Sequence, residues 1–346
     1  MEDELMKKFT KVLACLLVLV MVFGLAACGG GGAQNNTSND TNNTGNETKE
    51  WTPAKEITII NPWAAGGAGD IASRLLSEIV KEQTGYTVVV EDVTGGSSAV
   101  GLTQVMSDTS GYTIGLASSS WLSLVALKTV PFSWDDCAVA SCLYDEAFFI
   151  LVPKNSPYAD CQALMDAVKA NPGTITCGGS GSANVNQTLP VLLANSVGSS
   201  FNYTPFDGGS RVLSEILGGH LDCCILKPVE CGPSVASGDL KVMGVFGNSR
   251  LENYPDVKTF VEMGYDIYKD GQVDMVDFWL ANAKADKETL EHVMDIIINA
   301  MNSDKFKEYC KTNSVTLNPI RGEEGRKYIT DVYNGIDKLF NQLYKK

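Results

Sequence analysis

Short apolar runs alternate with helical patterns along the chain. The run Ile57 to Ile60 stops at Asn61-Pro62, and a helical apolar pattern begins near Ile71 after a glycine-rich loop. A second strand, loop and helix follow at 87–106, and a third strand at 112–117 ends in three serines. This alternation predicts a parallel sheet with helices on its faces.

The rest of the chain repeats the same order. A length of 346 residues is sufficient for two compact units, so we expect an α/β protein with two lobes. Further strands are predicted at 147–152, 174–177, 201–204, 221–226 and 241–246. Helices are predicted at 160–170, from the loop at 178–182 to about 194, at 212–217, after Asp286 and around Ile336.

The N-terminus has the pattern of an export signal. Three lysines precede the apolar run Val12 to Phe23, which is too short to span a bilayer, and small residues follow it. Residues 1–27 are therefore a predicted signal peptide, and translation starts at Met1 or at Met6.

The signal is followed by a predicted lipidation site and a tether. Leu25-Ala26-Ala27-Cys28 resembles the lipobox of bacterial lipoproteins, which implies a lipid on Cys28 and anchoring at the outer face of the cytoplasmic membrane. The alternative is an ordinary signal peptide with a chance cysteine. Gly, Asn and Thr dominate up to Glu50, so 28–50 is expected to be a disordered tether.

Charge narrows the range of partners. The chain has 27 basic and 41 acidic residues, and its net charge of −14 persists without the signal peptide, which contains three of each. An acidic surface repels phosphate backbones, so no nucleic-acid partner is expected. An anionic ligand would have to be held by local dipoles.

Eight cysteines follow Cys28. They allow 105 disulfide connectivities, and sequence alone does not choose among them. The adjacent Cys223 and Cys224 lie in an apolar run, which favours buried free thiols.

Glycine- and serine-rich loops connect predicted strands to predicted helices. At the edge of an α/β sheet where strands end and helices begin, helix N-termini bind carboxylates or phosphates through backbone N–H groups. The alternative is that glycine and serine are present only because tight turns and helix caps favour them. The candidate ligand-binding residues are Ala65, Gly66, Gly67, Ser97, Ser98, Ser118, Ser119, Ser180, Gly181 and Ser182.

A dinucleotide site is the competing interpretation. Gly67 to Ala72 fits G-x-G-x-x-G/A, and Glu91 follows at about the expected 20 residues. However, residues 61–66 separate the strand from the first glycine, whereas a Rossmann turn is tight. Asp70 is expected in the first helical turn, and Arg74 is expected to pair with Glu78.

Other enzymatic chemistry has little support. His220 and His292 are the two histidines, so a histidine-rich metal site is excluded, and a Ser-His-Asp triad would depend on one of them. We expect no enzyme activity, no metal and no cofactor.

An ordered series of motifs resembles the receptors of tripartite tricarboxylate transporters, the TctC or Bug family. The series comprises Pro62 to Asp70 with Arg74, Val88 to Glu91, Gly95-Gly96 with Gly101, Gly111-Tyr112-Thr113, Gly178 to Ser182, Thr204 to Gly208, Gly218 to Asp222, Arg250, Pro255-Asp256-Val257 and Glu262 to Tyr265. Trp63 joins the candidate site through this resemblance, whereas Phe206 and Asp207 join it because they lie between a predicted strand and the helix at 212–217.

The resemblance implies a type II periplasmic-binding-protein fold with two crossing strands. Lobe 1 would then comprise 51–147 and 277–346, and lobe 2 would comprise 148–276. It further implies a monomeric receptor that captures a small di- or tricarboxylate or related organic acid for membrane permease subunits. A sensor input domain of the same fold is the alternative.

Two motifs depart from the family pattern. Phe206-Asp207-Gly208 stands where the family usually has Tyr-Lys-Gly, and Thr109-Ser110 replaces Pro-Asp. Asp207 near the cleft would disfavour a highly charged tricarboxylate and favour an ammonium group.

Overall fold

The computed structural model describes residues 51–344 except 248, 270, 272 and 274, and at 139–146 it describes the backbone alone. The predicted signal peptide, Cys28 and the tether lie outside these residues. None of the helices in the described part combines the length and apolar character that a membrane span requires.

A six-stranded mixed sheet forms one half of the described chain. Its order is β11-β4-β10-β3-β1-β2. The pairs β1–β2 and β1–β3 are parallel, whereas β10 is antiparallel to β3 and β4. The strands are β1 (Ile57–Asn61), β2 (Val88–Asp92), β3 (Thr113–Ser118), β4 (Cys137–Glu146), β10 (Val276–Asn282) and β11 (Val315–Asn318).

A five-stranded sheet of order β7-β6-β8-β5-β9 forms the other half. The pairs β6–β7 and β6–β8 are parallel, and β5 is antiparallel to β8 and β9. The strands are β5 (Phe148–Pro153), β6 (Thr176–Ser180), β7 (Asn202–Phe206), β8 (Cys223–Leu226) and β9 (Leu240–Phe246).

We call the half built on the six-stranded sheet the first lobe and the other half the second lobe. The chain leaves the first lobe between β4 and β5, through Ala147 alone, and returns between β9 and β10. The α/β fold with two lobes and two crossing strands is therefore confirmed.

Helices cover the sheets and begin mostly after the carboxyl ends of strands. They are α1 (Ala68–Thr84), α2 (Ala99–Ser107), α3 (Ser119–Ala126), α4 (Cys161–Ala170), α5 (Val185–Ser196), α6 (Gly209–Leu217), α7 (Pro228–Ala236), α8 (Lys287–Met301), α9 (Asp304–Thr312) and α10 (Gly322–Tyr344).

Apolar faces of these helices form the core. In the first lobe, Leu76 of α1 and Ile297 of α8 pack in one cluster with Ile57 of β1. In the second lobe, Val212 and Ile216 of α6 cluster with the inner residues of β5. Burying each such side chain contributes about 2 kcal/mol, so the helix positions at the strand ends are firmly held.

Thiols belong to this core as well. Within the described residues, seven cysteines are buried, at 137, 161, 177, 223, 224, 231 and 310. The side chain of Cys142 is outside the description.

Candidate ligand-binding cleft

A cleft with about 620 Å³ of empty space, including its mouth, lies between the lobes. The N-termini of α1 and α3 reach it from the first lobe, and that of α6 reaches it from the second. Its lining residues are Trp63, Gly67, Ala68, Gly69, Leu116, Ser118, Ser119, Ser120, Phe148, Ser180, Asn186, Gly209, Lys227, Glu230, Met275, Val276 and Asp277. Three helix dipoles therefore direct their positive ends into one space.

The N-terminus of α1 is built for close backbone approach. Its N-cap residue Gly67 provides no side-chain cap. A Cβ atom at Gly69 would lie 2.7 Å from Asn61 Oδ1 and 2.9 Å from Leu116 Cδ2, so only glycine fits there. Glycine at this position therefore lets α1 begin close against β1 and β3, at the edge of the cleft.

The serine-rich start of α3 is fixed by contacts to other elements. Ser118 is the N-cap residue. The Ser119 hydroxyl accepts a hydrogen bond from the Val276 N–H at 3.0 Å, and the Ser120 hydroxyl accepts one from Asn186 Nδ2 at 3.3 Å. The last contact joins α3 of the first lobe to α5 of the second.

A charged cluster in the cleft was not predicted from the sequence. Lys227 Nζ lies 2.9 Å from Asp277 Oδ2, and both side chains are largely buried. Glu230, one helical turn after Lys227, accepts a hydrogen bond from the Lys227 backbone N–H at 2.9 Å. The cluster therefore joins the second lobe to β10 of the first.

Burial affects the ionisation of this cluster. Desolvation raises the pKa of the Glu230 carboxyl, and this effect outweighs the opposing influence of the Lys227 ammonium and of hydrogen bonds from the Lys227 and Ala68 N–H groups. The neighbouring Asp277 charge adds to the increase.

A second depression of about 540 Å³ adjoins the cleft, and Trp63 lines both. Ser97, Ser98, Gly181, Ser182, Phe206 and Asp207 lie around it. The Ser97 hydroxyl donates to the Ser182 carbonyl at 3.0 Å and accepts from the Ser182 N–H at 2.8 Å. This reciprocal contact connects the lobes.

The predicted site residues thus fall into three groups. Trp63, Gly67, Ser118, Ser119 and Ser180 line the cleft. Ser97, Ser98, Gly181, Ser182, Phe206 and Asp207 line the second depression, beside the cleft. Ala65 and Gly66 line neither space, since both are exposed on the loop before α1.

The loop before α1 instead contacts the second lobe. The Ala65 carbonyl accepts from Ser210 Oγ at 2.8 Å, and the Ala64 N–H donates to the Asp207 carbonyl at 3.2 Å. The Gly66 N–H donates to Asp70 Oδ2 at 2.8 Å. The lobes are therefore in contact on this side of the cleft.

The predicted pairing of Arg74 with Glu78 is wrong. Arg74 Nε lies 2.6 Å from Asp70 Oδ1, and its Nη2 lies 2.6 Å from Asp92 Oδ2. Glu78 pairs with Lys305 of α9 instead. The pull of Asp92, at the end of the neighbouring strand β2, turns Arg74 away from Glu78.

Residues 51–344, where described, contain no group of three or more His, Cys, Asp or Glu side chains placed to hold a metal ion.

Two lobes that close on a cleft lined by helix N-termini define the solute-binding proteins. Residues 72–343 match the family model described as tripartite tricarboxylate transporter family receptor, and the chain belongs to that family. The family is one of exported receptors and not of enzymes.

Curated relatives cover most of the chain. A UPF0065 protein encoded in the gbd 5′ region of Cupriavidus necator is 28% identical over 261 residues, which are 74% of this chain and 77% of the relative. Protein BugT of Bordetella pertussis is 25% identical over 218 residues, or 62% of this chain and 67% of the relative.

Solved structures share the fold. The periplasmic binding protein BugD superposes with a TM-score of 0.76 at 21% identity, covering 85% of this chain and 98% of BugD. MatC of Rhodopseudomonas palustris with bound malate gives a TM-score of 0.74 at 18% identity, covering 84% of this chain and all of MatC.

Proposed function

We propose that this receptor captures a small organic carboxylate outside the cytoplasm and delivers it to the membrane permease of a tripartite transporter. The observation that carries the proposal is the convergence of three helix N-termini, those of α1, α3 and α6, on one cleft between the lobes. Such N-termini bind carboxylates without a dedicated cation.

The ligands of structural relatives support the ligand class. MatC was solved with malate, and a second Rhodopseudomonas palustris protein of the same fold was solved with adipate. Both ligands are small carboxylates. In the present chain, we propose that Ser118, Ser119 and Ser180 contribute direct ligand contacts and that Gly67 shapes the turn at the start of α1 beside them.

The remaining predicted site residues are proposed to complete or flank this site. Trp63 would cover the ligand, and Ser97, Ser98, Gly181 and Ser182 would hold the lobes together around it. Phe206 and Asp207 would shape its entrance, whereas Ala65 and Gly66 would act through the loop they belong to.

Closure of the two lobes would trap the ligand. We place the hinge at the two passages between the sheets, near 147/148 and 276/277, which gives lobes of 51–147 with 277–346 and of 148–276. Motion about two short connections is the usual closure of such folds.

We propose that the N-terminal segment attaches the protein to the membrane. Cleavage after residue 27 and lipidation of Cys28 would hold a monomeric receptor at the outer face of the cytoplasmic membrane, with 28–50 as its tether. A lipid with more than one acyl chain gives stable anchoring.

A thermal-shift panel tests the ligand class. Mono-, di- and tricarboxylates and acidic amino acids are compared with NAD, because a specific ligand at 100 times its Kd adds about 2.7 kcal/mol to stability. We expect at least one carboxylate to raise the Tm and NAD to have no effect. A shift with NAD alone would overturn the proposal.

A point substitution tests the location of the site. Ser180→Ala should weaken binding of the best carboxylate about tenfold and leave the Tm of the ligand-free protein nearly unchanged. Thr103→Ala is the control, since Thr103 is exposed and its hydroxyl donates to the Ala99 carbonyl within the same helix, α2. Equal affinities of wild type, Ser180→Ala and Thr103→Ala would show that the Ser180 side chain at the end of β6 does not contact the ligand.

A further inference from the structure

The carboxylate of Glu230 lies where the N-termini of α1 and α6 meet. The Ala68 N–H, in the first turn of α1, donates to Glu230 Oε1 at 3.4 Å. A Cβ atom at Gly209, the first residue of α6, would overlap the same carboxylate, so Glu230 lies directly against that backbone. A carboxylate of the protein itself therefore occupies two of the three helix N-termini.

The other charged residues that line the cleft do not cancel the repulsion between the Glu230 carboxylate and an anionic group of a ligand. Among the lining residues, Lys227 is the single cation, and Asp277 already engages it at 2.9 Å. Lys227 is thus one cation facing two carboxyl groups, those of Glu230 and Asp277, and it can neutralise only one of them. A second ligand carboxylate would enter a space in which the protein already places two carboxyl groups against one cation.

The donors that remain suit one carboxylate. They are Ser118, the N-cap residue of α3, and Ser180 at the end of β6. A ligand bound there by one end extends its other end toward Glu230 and Asp277, which both accept hydrogen bonds. That end is favoured when it donates hydrogen bonds or carries positive charge.

We propose that Glu230 is a specificity-determining residue that takes the place of a second ligand carboxylate. The cleft accordingly accepts a small monocarboxylate whose far end is an amide, a hydroxyl or an ammonium group, and rejects the dicarboxylate of the same length. This inference rests on the proposed function, since it concerns the same cleft and the same class of ligand.

Isosteric pairs test the inference by titration calorimetry at pH 7.5. Succinate, glutarate, malate and adipate are each compared with their monoamides, which differ by one charge and little in shape. We expect wild type to prefer the monoamide of the best-binding pair by at least about tenfold, and Glu230→Gln to reduce or reverse that preference.

Two further variants complete the design. Glu230→Asp keeps the charge and should keep the preference, and Glu78→Gln makes the same substitution at an exposed residue of α1 and should leave it unchanged. If Glu230→Gln does not fold, the ratio of the wild-type affinities for the monoamide and the dicarboxylate tests the proposal by itself.

The outcomes separate the two proposals. A wild-type protein that prefers the dicarboxylate, or an equal preference in wild type and Glu230→Gln, overturns the role of Glu230 and leaves carboxylate capture standing. Binding of neither member of any pair, with no response to the wider carboxylate panel, overturns the proposed function itself.

Discussion

Ser97 and Ser182 form a reciprocal hydrogen-bonded contact across the lobes, in which the Ser97 hydroxyl donates to the Ser182 carbonyl and accepts from the Ser182 N–H. Ser97 lies beside α2 in the first lobe, and Ser182 follows β6 in the second. One hydroxyl thus satisfies both polar groups of a facing residue, which favours the closed arrangement of the lobes.

Removal of this hydroxyl should loosen closure. We expect Ser97→Ala to weaken carboxylate binding about two- to tenfold, mainly through faster dissociation, because two hydrogen bonds of about 1 kcal/mol each are partly replaced by water. Stopped-flow dissociation rates and small-angle scattering with and without ligand measure this change. Thr103→Ala serves again as the control, and an unchanged dissociation rate in Ser97→Ala would contradict the expectation.

The pair of Lys227 and Asp277 should matter for stability. Lys227→Met leaves the largely buried Asp277 carboxylate, with 8% of its side chain exposed, beside Glu230 and without its cation. We expect a loss of about 3 kcal/mol in the free energy of unfolding, measured by urea denaturation. The double variant Lys227→Met/Asp277→Asn should recover most of the loss.

A surface pair provides the comparison for that experiment. Lys305 lies between Glu78 and Glu82 on exposed helix faces, so Lys305→Met should change stability little. Equal losses in Lys227→Met and Lys305→Met would show that burial of the Lys227 pair has no special effect.

Glu230 should give stability a distinct pH dependence. Burial raises its pKa, so the folded protein holds the Glu230 proton more tightly than the unfolded chain does. This contribution to stability is present at low pH and is lost as pH rises from about 4.3, the unfolded value, through the folded pKa.

Urea denaturation from pH 4 to pH 8 measures this dependence. Because Gln does not titrate, the unfolding free energy of Glu230→Gln minus that of wild type should increase as pH rises. The Thr103→Ala variant, which changes no titratable group, should show no such increase. A difference that decreases with pH would mean that the fold favours the Glu230 anion.

Cys28 should decide where the mature protein is found. Expressed with its own N-terminus in a bacterial host, the wild-type protein should fractionate with membranes and partition into detergent, because diacylated cysteine anchors stably. Cys28→Ser should appear in the soluble extracytoplasmic fraction with unchanged ligand affinity. Detergent partitioning of Cys28→Ser would contradict lipid anchoring at this residue.

Alternating patterns predicted most of the elements around the cleft. The glycine- and serine-rich loops stand out because they interrupt apolar runs at strand ends, and Ser118 and Ser180 do line the cleft. The strands β4 and β10 were not predicted, since β4 mixes polar and apolar residues and β10 follows a long irregular stretch. Their central positions in the sheet come from long-range pairing, which has no local signal.

The charged cluster escaped prediction for a related reason. Lys227 and Glu230 read locally as the start of an ordinary helix, with Pro228 at its first position. Asp277 is 50 residues further along the chain. Only the return of the chain from the second lobe brings β10 beside α7, so the pairing is a property of the fold and not of either segment.

The buried thiols give this protein a built-in reporter of unfolding. Burial raises the pKa of Cys137 to about 12 and that of Cys161 to about 11, so neither side chain is accessible or ionised near neutral pH. Alkylating reagents attack thiolates and need access to them. Pulse labelling with an alkylating reagent, followed by mass spectrometry, would measure the labelling of each cysteine during unfolding. It would therefore show which lobe opens first.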